Sequence, residues 1–277
     1  MRFKIYNEYG ALNSHPVFTA FEKGLHQLGH ELVTKNEDVS VIWSVLWAGR
    51  MLGNQQIYKE CQKRDRPVLI LEVGNLLRNK TWRMSLGNIN GSGIFANDYD
   101  LDPERPKKLG ISLKPVNTVR REEILIAAQH QRSQQWVGQP PMATWVEQTV
   151  AQLRKYTDRK IVVRPHPRSL FVVKIPGVEM ESPKAIPNSY DDFNIDYGFH
   201  CVVNHNSGPA VQAAIAGTPI ICHNTSLAGI LSNSMENIEN LSMPSRDKWF
   251  VELAHTEWTL EEIATGYPLS RLISKIS

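Results

Sequence analysis

Cysteine is scarce in this chain of 277 residues, which carries three, at Cys61, Cys201 and Cys222. They are widely spaced and two lie in apolar, strand-like runs, which argues against a disulfide framework or a metal cluster and for reduced, buried thiols. Long apolar runs are missing as well. None approaches the roughly 18–20 residues that a membrane-crossing helix needs. The opening Met1–Tyr6 lacks the apolar centre and small-residue cleavage site of a signal peptide, so the expected location is the cytoplasm. There is no internal repeat, low-complexity tract, Walker loop or glycine-rich dinucleotide fingerprint. Nor does charge of one sign dominate, since 31 Lys and Arg face 28 Asp and Glu for a net charge of +3.

What is present is an ordinary globular composition, 42% hydrophobic and 21% charged, in a length that fits two α/β domains of roughly 100–150 residues each. The positive charge is uneven: residues 103–168 hold 13 Lys and Arg against 5 Asp and Glu. A basic face suits a polyanionic partner such as nucleic acid or an anionic glycan, unless it serves solubility alone.

Strand and helix signals alternate in both halves. Phe3–Asn7 and Val39–Val45 read as strands flanking an amphipathic helix over Pro16–Leu28. A helix over residues 54–64 leads into Pro67–Val73, a continuous apolar run of the kind a buried parallel strand shows. Thr81–Leu86 and Gly93–Ala96 read as short strands, and Asp98–Val116, rich in Pro, Lys and Asp, as the approach to a linker. The second half restarts with a strand over Glu123–Gln129 and a helix over Thr144–Tyr156. Strands at Lys160–Arg164, Gly177–Glu181, His200–Asn204 and Thr218–Cys222 follow, with a short helix near Tyr190–Tyr197 and another over Gly208–Ala216. The class is therefore α/β, with two Rossmann-like domains.

Two clusters stand where apolar strands end. Arg164-Pro165-His166-Pro167-Arg168 offers two guanidinium forks and an imidazole. Asn204-His205-Asn206-Ser207-Gly208-Pro209 offers a hydroxyl, amides and the N–H groups of a helix start, with Ser207 as cap and Pro209 in the first turn. Open α/β sheets bind ligands outside the carboxyl ends of their strands, where Gln129 also falls. Together these donors suit the phosphates of a nucleotide or phosphosugar.

Ile124–Gln129, Arg164–Pro167, and Asn206-Ser207 running through Gln212-Ala213 to Gly217-Thr218-Pro219 resemble the capsule-polysaccharide Kdo-transferase family, glycosyltransferases of GT-B type. Leu71-Glu72-Val73-Gly74, Leu77-Arg78 and Leu86–Gly91 are similar to that family's acidic-x-Gly, Leu-Arg and Gly-x-Asn elements. Glu257–Ile263 with Gly266 looks like its closing helix. The resemblance implies two Rossmann-like domains facing across a cleft. Residues 1–117 would form the acceptor domain, 118–255 the nucleotide-sugar domain, and 256–277 a helix returning to the first. It also implies donor phosphates on His166 and Ser207, with Gln129, Arg164, Arg168, Asn206, Gly208 and Gln212 around them. The family often has Glu where Gln212 stands, at a site that commonly contacts ribose or base. Glu72 would act as base, with Glu8, at the end of the first strand, as second candidate. Acceptor contacts would come from Asn7, Tyr9, Arg78, Trp82 and Asn90.

Such a site needs an acid–base residue on one side and positive or N–H donors on the other. Glu72 either serves as that base or pairs structurally with Arg78. No Asp-x-Asp pair ends a strand, and Asp191-Asp192 reads as a helix start, so transfer independent of metal is expected. The co-substrate would be a UDP- or CMP-linked sugar, and no further cofactor is expected. The Tyr6–Asn13 opening and the Trp43–Trp47 run look like glycosyltransferases of tailed bacteriophages, which implies the host cytoplasm and a hydroxymethylated pyrimidine in double-stranded DNA as acceptor. Trp43, Trp47, Trp82, Arg78, Arg83 and the basic linker would then line a groove for an extruded base. A surface polysaccharide or glycolipid acceptor, and a non-catalytic nucleotide- or phosphoglycan-binding module, are the alternatives.

Overall fold

The alternating segments fold into two α/β units in a computed structural model that describes residues 1–187 and 192–276. Unit 1 comprises Met1–Ile111, Arg132–Gln135 and Lys248–Ser277; unit 2 comprises Ser112–Gln131 and Trp136–Asp247.

The first part of unit 1 contributes β1 (Arg2–Ile5), α1 (His15–Gln27), β2 (Glu31–Leu32), β3 (Val39–Trp43), α2 (Leu52–Lys63), β4 (Val68–Val73), β5 (Trp82–Leu86) and the short α3 (Arg105–Lys108). Every residue of β3 is buried, as its unbroken β-branched and aromatic run requires of a central strand. In α1, Val17, Phe18, Phe21 and Leu25 recur at helical spacing and form one buried face, packed with Phe3 of β1 and Trp43 of β3. Fully burying each of these side chains contributes about 1.5–3 kcal/mol.

Unit 2 contributes β6 (Ile124–Ala127), α4 (Met142–Leu153), β7 (Ile161–Arg164), β8 (Val178–Met180), the antiparallel pair β9 (Lys184–Ala185) and β10 (Phe193–Asn194), β11 (Cys201–Asn204), α5 (Gly208–Ile215) and β12 (Ile220–Cys222). Its sheet runs β12-β11-β6-β7-β8, with every neighbour parallel. The chain then forms α6 (Asp247–Ala254), β13 (Glu257–Trp258), α7 (Leu260–Ala264) and α8 (Tyr267–Ile273). These complete unit 1, whose sheet runs β13-β5-β4-β3-β1-β2.

In both sheets the chain leaves the first strand to one side and later crosses to the other. The reversal falls between β1 and β3 in unit 1 and between β6 and β11 in unit 2. A crevice at the carboxyl ends of the strands follows there.

Several expectations need correction. Asn7 is not the end of a strand but starts a 3-10 turn, Asn7–Tyr9, and β3 stops at Trp43 because Ser44 turns left-handed, at φ +63°. β5 and β13 are antiparallel to their neighbours. Gly93–Ala96 makes only an isolated bridge from Ile94 to Leu86. In the tail, Glu257-Trp258 is a strand; the helix begins after Thr259, whose hydroxyl and Glu262 form a reciprocal capping box. The helix expected near Tyr190–Tyr197 falls partly outside the described residues, as does Asp191; within 192–197 the chain forms β10 instead. Cys61 and Cys201 are buried thiols and Cys222 is half-buried. No helix among the described residues is long and apolar enough to cross a membrane.

Candidate active site

In unit 2 the reversal point is built from polar groups that hold one another across it. Asn204, ending β11, donates from Nδ2 to the Ala127 carbonyl of β6 (2.7 Å) and to Ser207 Oγ (3.0 Å), while its Oδ1 accepts the Ser207 N–H (2.8 Å). Ser207 therefore caps α5 by backbone placement only, and its hydroxyl takes no hydrogen bond from the first turn. No side chain among the described residues caps the turn's N–H groups, which suits an anion. Gln129 is 3% exposed and accepts the Asn206 N–H on Oε1 (3.2 Å), yet its buried Nε2 has no hydrogen-bond partner among the described residues. An orphaned amide donor is costly, and here it lies beside the start of α5. Gly208 and Gln212 lie on α5, both half-buried.

His166 follows β7 with its ring edge-on to His130 at 5.2 Å. Its Nδ1 accepts the Arg168 N–H (3.1 Å), which assigns the remaining proton of the neutral ring to Nε2, a hydrogen-bond donor. Arg168 itself is exposed. Arg164 departs from the expectation that it offers a fork to phosphate. Its side chain is 5% exposed and donates to Glu181 Oε1 (2.7 Å) and the Asp196 carbonyl (2.8 Å), with the rings of Tyr197 and Phe199 beside the guanidinium. It braces the sheet edge.

Besides His166, the sequence reading missed His130 and His223. Each of β6, β7, β11 and β12 is followed within three residues by a histidine: His130, His166, His205 and His223. His205 packs against Trp136 (5.2 Å) and against the exposed His223 (4.8 Å). Burial, with His223 alongside, pushes its pKa down to about 4, so it stays neutral at pH 7. Asn206 Nδ2 donates to Thr225 Oγ1 (3.0 Å), and Thr225 N–H donates to His223 Nδ1 (3.3 Å), tying the loop after β12 to the start of α5.

In unit 1 the carboxyl ends of β1, β3 and β4 bring together Asn7, Glu8 and Tyr9, then Ser44, then Glu72. Asn54, fully buried, donates to the carbonyls of Tyr9 (3.2 Å) and Trp43 (2.6 Å) and so fixes the β1 loop to the end of β3. Glu72 is half-buried. Its Oε2 accepts the Ser44 hydroxyl (2.5 Å) and its Oε1 the Val73 N–H (2.8 Å). Glu8 and Asn7 are exposed, Tyr9 half-buried. Beyond Glu72 the loop is fastened by Glu257 of β13, a fully buried carboxylate that accepts the Asn75 N–H, the Leu76 N–H (3.0 Å) and the Thr81 hydroxyl (2.8 Å). Arg78, in that loop, is exposed.

Two expected acceptor contacts lie elsewhere. Trp82 is 7% exposed and belongs to the core. Asn90 is 3% exposed and accepts from Ser92 in its own turn, after antiparallel β5 has carried the chain to the amino end of β4, where Gly87 N–H meets the Val68 carbonyl. Trp43 and Trp47 are also buried, at 1% and 5%. The basic stretch is largely paired internally. Arg105 meets Glu262, Lys108 Asp102, Arg121 Asp196, Arg159 Glu239 and Lys160 Glu179, while Arg120 donates to the His200 carbonyl.

No family model matches this sequence, and no curated protein is similar to it. Among solved structures the chain is similar to the beta Kdo 2,4 transferase of Thermosulfurimonas dismutans KpsC, with a TM-score of 0.53 at 13% identity over 100% of this chain and 98% of that one. It is likewise similar to the beta Kdo 2,7 transferase of the same protein, with a TM-score of 0.52 at 15% identity over 98% and 99%. At such identities the likeness is one of fold, the mixed α/β, GT-B-type fold.

Proposed function

We propose that this chain is a glycosyltransferase that moves a sugar from a nucleotide-sugar donor to an acceptor hydroxyl, with unit 2 binding the donor and unit 1 the acceptor. The observation that carries the reading is the start of α5 at the reversal point of unit 2. Among the described residues no side chain caps its first turn, which is bordered by Gln129, Asn206 and Ser207, in a fold similar to that of Kdo transferases. As the acceptor oxygen bonds to the anomeric carbon, its proton passes to Glu72. The bond from that carbon to the phosphate breaks, and the electron pair leaves on phosphate, where His166 Nε2–H and the N–H groups of α5 meet the charge. Because those donors supply the stabilisation, turnover is expected to persist in EDTA.

A glycan or glycolipid hydroxyl is the acceptor that the side-chain placements favour. Recognition of an extruded DNA base would draw on Trp43, Trp47 and Trp82, which are core residues, and on Arg83, whose guanidinium donates to the carbonyls of Val73 and Ile89. A panel of UDP-, CMP- and GDP-sugars, offered with glycan acceptors and with hydroxymethylated duplex DNA and read by mass spectrometry, tests both points. A sugar-sized gain on a glycan is expected. A gain on the nucleoside alone would overturn the acceptor, and no nucleotide release from any donor would leave a binding module.

A further inference from the structure

Six described non-glycine residues have positive φ, and four of them are Asn or Asp, for which the left-handed region is common. Ser44 (φ +63°) is one of the other two, is 2% exposed, and stands where β3 ends beside the reversal point of unit 1. Its Cβ disfavours that backbone, and the surroundings hold it there. Ser44 N–H continues the ladder to the Leu71 carbonyl (2.8 Å), and Oγ accepts the Leu46 N–H (3.1 Å) while donating to Glu72 Oε2 (2.5 Å). A glycine would adopt the same backbone without that steric cost. Strain kept at the end of a central strand, in a residue whose hydroxyl grips a carboxylate, has the signature of a functional constraint.

We propose that Ser44 is the positioning residue of the transfer reaction. Its left-handed turn swings Oγ onto Glu72, so that Oγ–H on Oε2 and the Val73 N–H on Oε1 hold the carboxylate in the rotamer that receives the acceptor proton. This rests on the reading of Glu72 as base.

The test compares Ser44→Gly, Ser44→Ala, Glu72→Gln and the Ser44→Gly/Glu72→Gln double variant in the full chain. Ser44→Gly is expected to melt about 2–4 °C above Ser44→Ala, because it tolerates the backbone that alanine does not. Both single variants should lower kcat about 10- to 100-fold at unchanged donor KM. The double variant should be no slower than Glu72→Gln, since Ser44 acts only through that carboxylate. Equal melting of the glycine and alanine variants, or a further slowing in the Glu72→Gln background, would make Ser44 structural and overturn the proposal. Unchanged kcat in Ser44→Gly with an active wild type sinks the positioning role alone. A wild type that releases no nucleotide from any donor removes the base reading and this proposal with it.

Discussion

Replacing Arg164 by methionine removes a guanidinium while keeping most of the stem that packs by Tyr197 and Phe199. Two charge-assisted hydrogen bonds are lost, to Glu181 and to the Asp196 carbonyl. A fully buried ion pair deprived of one partner costs about 3–5 kcal/mol. Glu181, however, is 40% exposed and recovers water, whereas Arg164 is 5% exposed. The remaining loss is mainly one charged bond to a carbonyl, worth about 1.5–3 kcal/mol. A destabilisation of about 2–3 kcal/mol is therefore expected, equivalent to a fall in Tm of roughly 3–5 °C for a chain of this size. Thermal unfolding, followed together with nucleotide titration of the still-folded protein at low temperature, separates the two roles of this arginine. A lower Tm with donor affinity within about twofold fits a brace. An unchanged Tm with affinity reduced tenfold would return Arg164 to the anion site and refute the assignment.

His166→Ala should weaken nucleotide-sugar binding about tenfold, the worth of one hydrogen bond to a charged group, without changing Tm; calorimetric titration reads it. Glu72→Gln should lower kcat about 10²- to 10⁴-fold at nearly constant donor affinity, because its base is used only as the acceptor hydroxyl loses its proton. His205 makes stability depend on pH. Its folded pKa, about 4, lies below the ordinary 6.5, so the unfolded state binds the proton first, and stability is lost as pH falls from about 6.5 to 4. The full loss is about 3 kcal/mol, of which most is reached by pH 4.5 and is measurable by urea unfolding at pH 7 and pH 4.5, and His205→Gln should flatten that slope.

The central strands of both sheets were legible because continuous β-branched runs such as Val39–Trp43 and Ile124–Ala127 have few other folded uses. The start of α5 was legible through Ser207-Gly208-Pro209, whose chemistry is local. What stayed hidden depends on pairing across long stretches of chain. Glu257-Trp258 is too short to carry a periodicity, and its place beside β5 comes from residues some 175 positions away. Arg164 looked like a free fork because nothing in Arg164–Arg168 shows that Glu181 would claim it. The indoles of Trp43, Trp47 and Trp82 suited a groove as well as a core until burial decided. The run of histidines after four parallel strands could be seen in the sequence. A single histidine has many uses, so the pattern acquires meaning only once the strands are known to be adjacent.

The carboxyl ends of the two sheets carry opposite chemistry. In each, a small polar residue at a strand end grips the neighbouring strand: Asn204 holds the Ala127 carbonyl and Ser207, and Ser44 holds Glu72. In unit 2 the groups so arranged are donors, namely the first turn of α5, the orphaned Gln129 amide and His166 Nε2–H. In unit 1 the fixed group is an acceptor, a carboxylate whose two oxygens keep lone pairs after Ser44 and Val73 are satisfied. Glycosyl transfer needs this division, one group to take a proton as another set stabilises the departing negative charge. A module that only bound nucleotide would need the donors of unit 2 alone, so the proposed transfer is separated from binding by Glu72→Gln, which should cut transfer while nucleotide affinity persists.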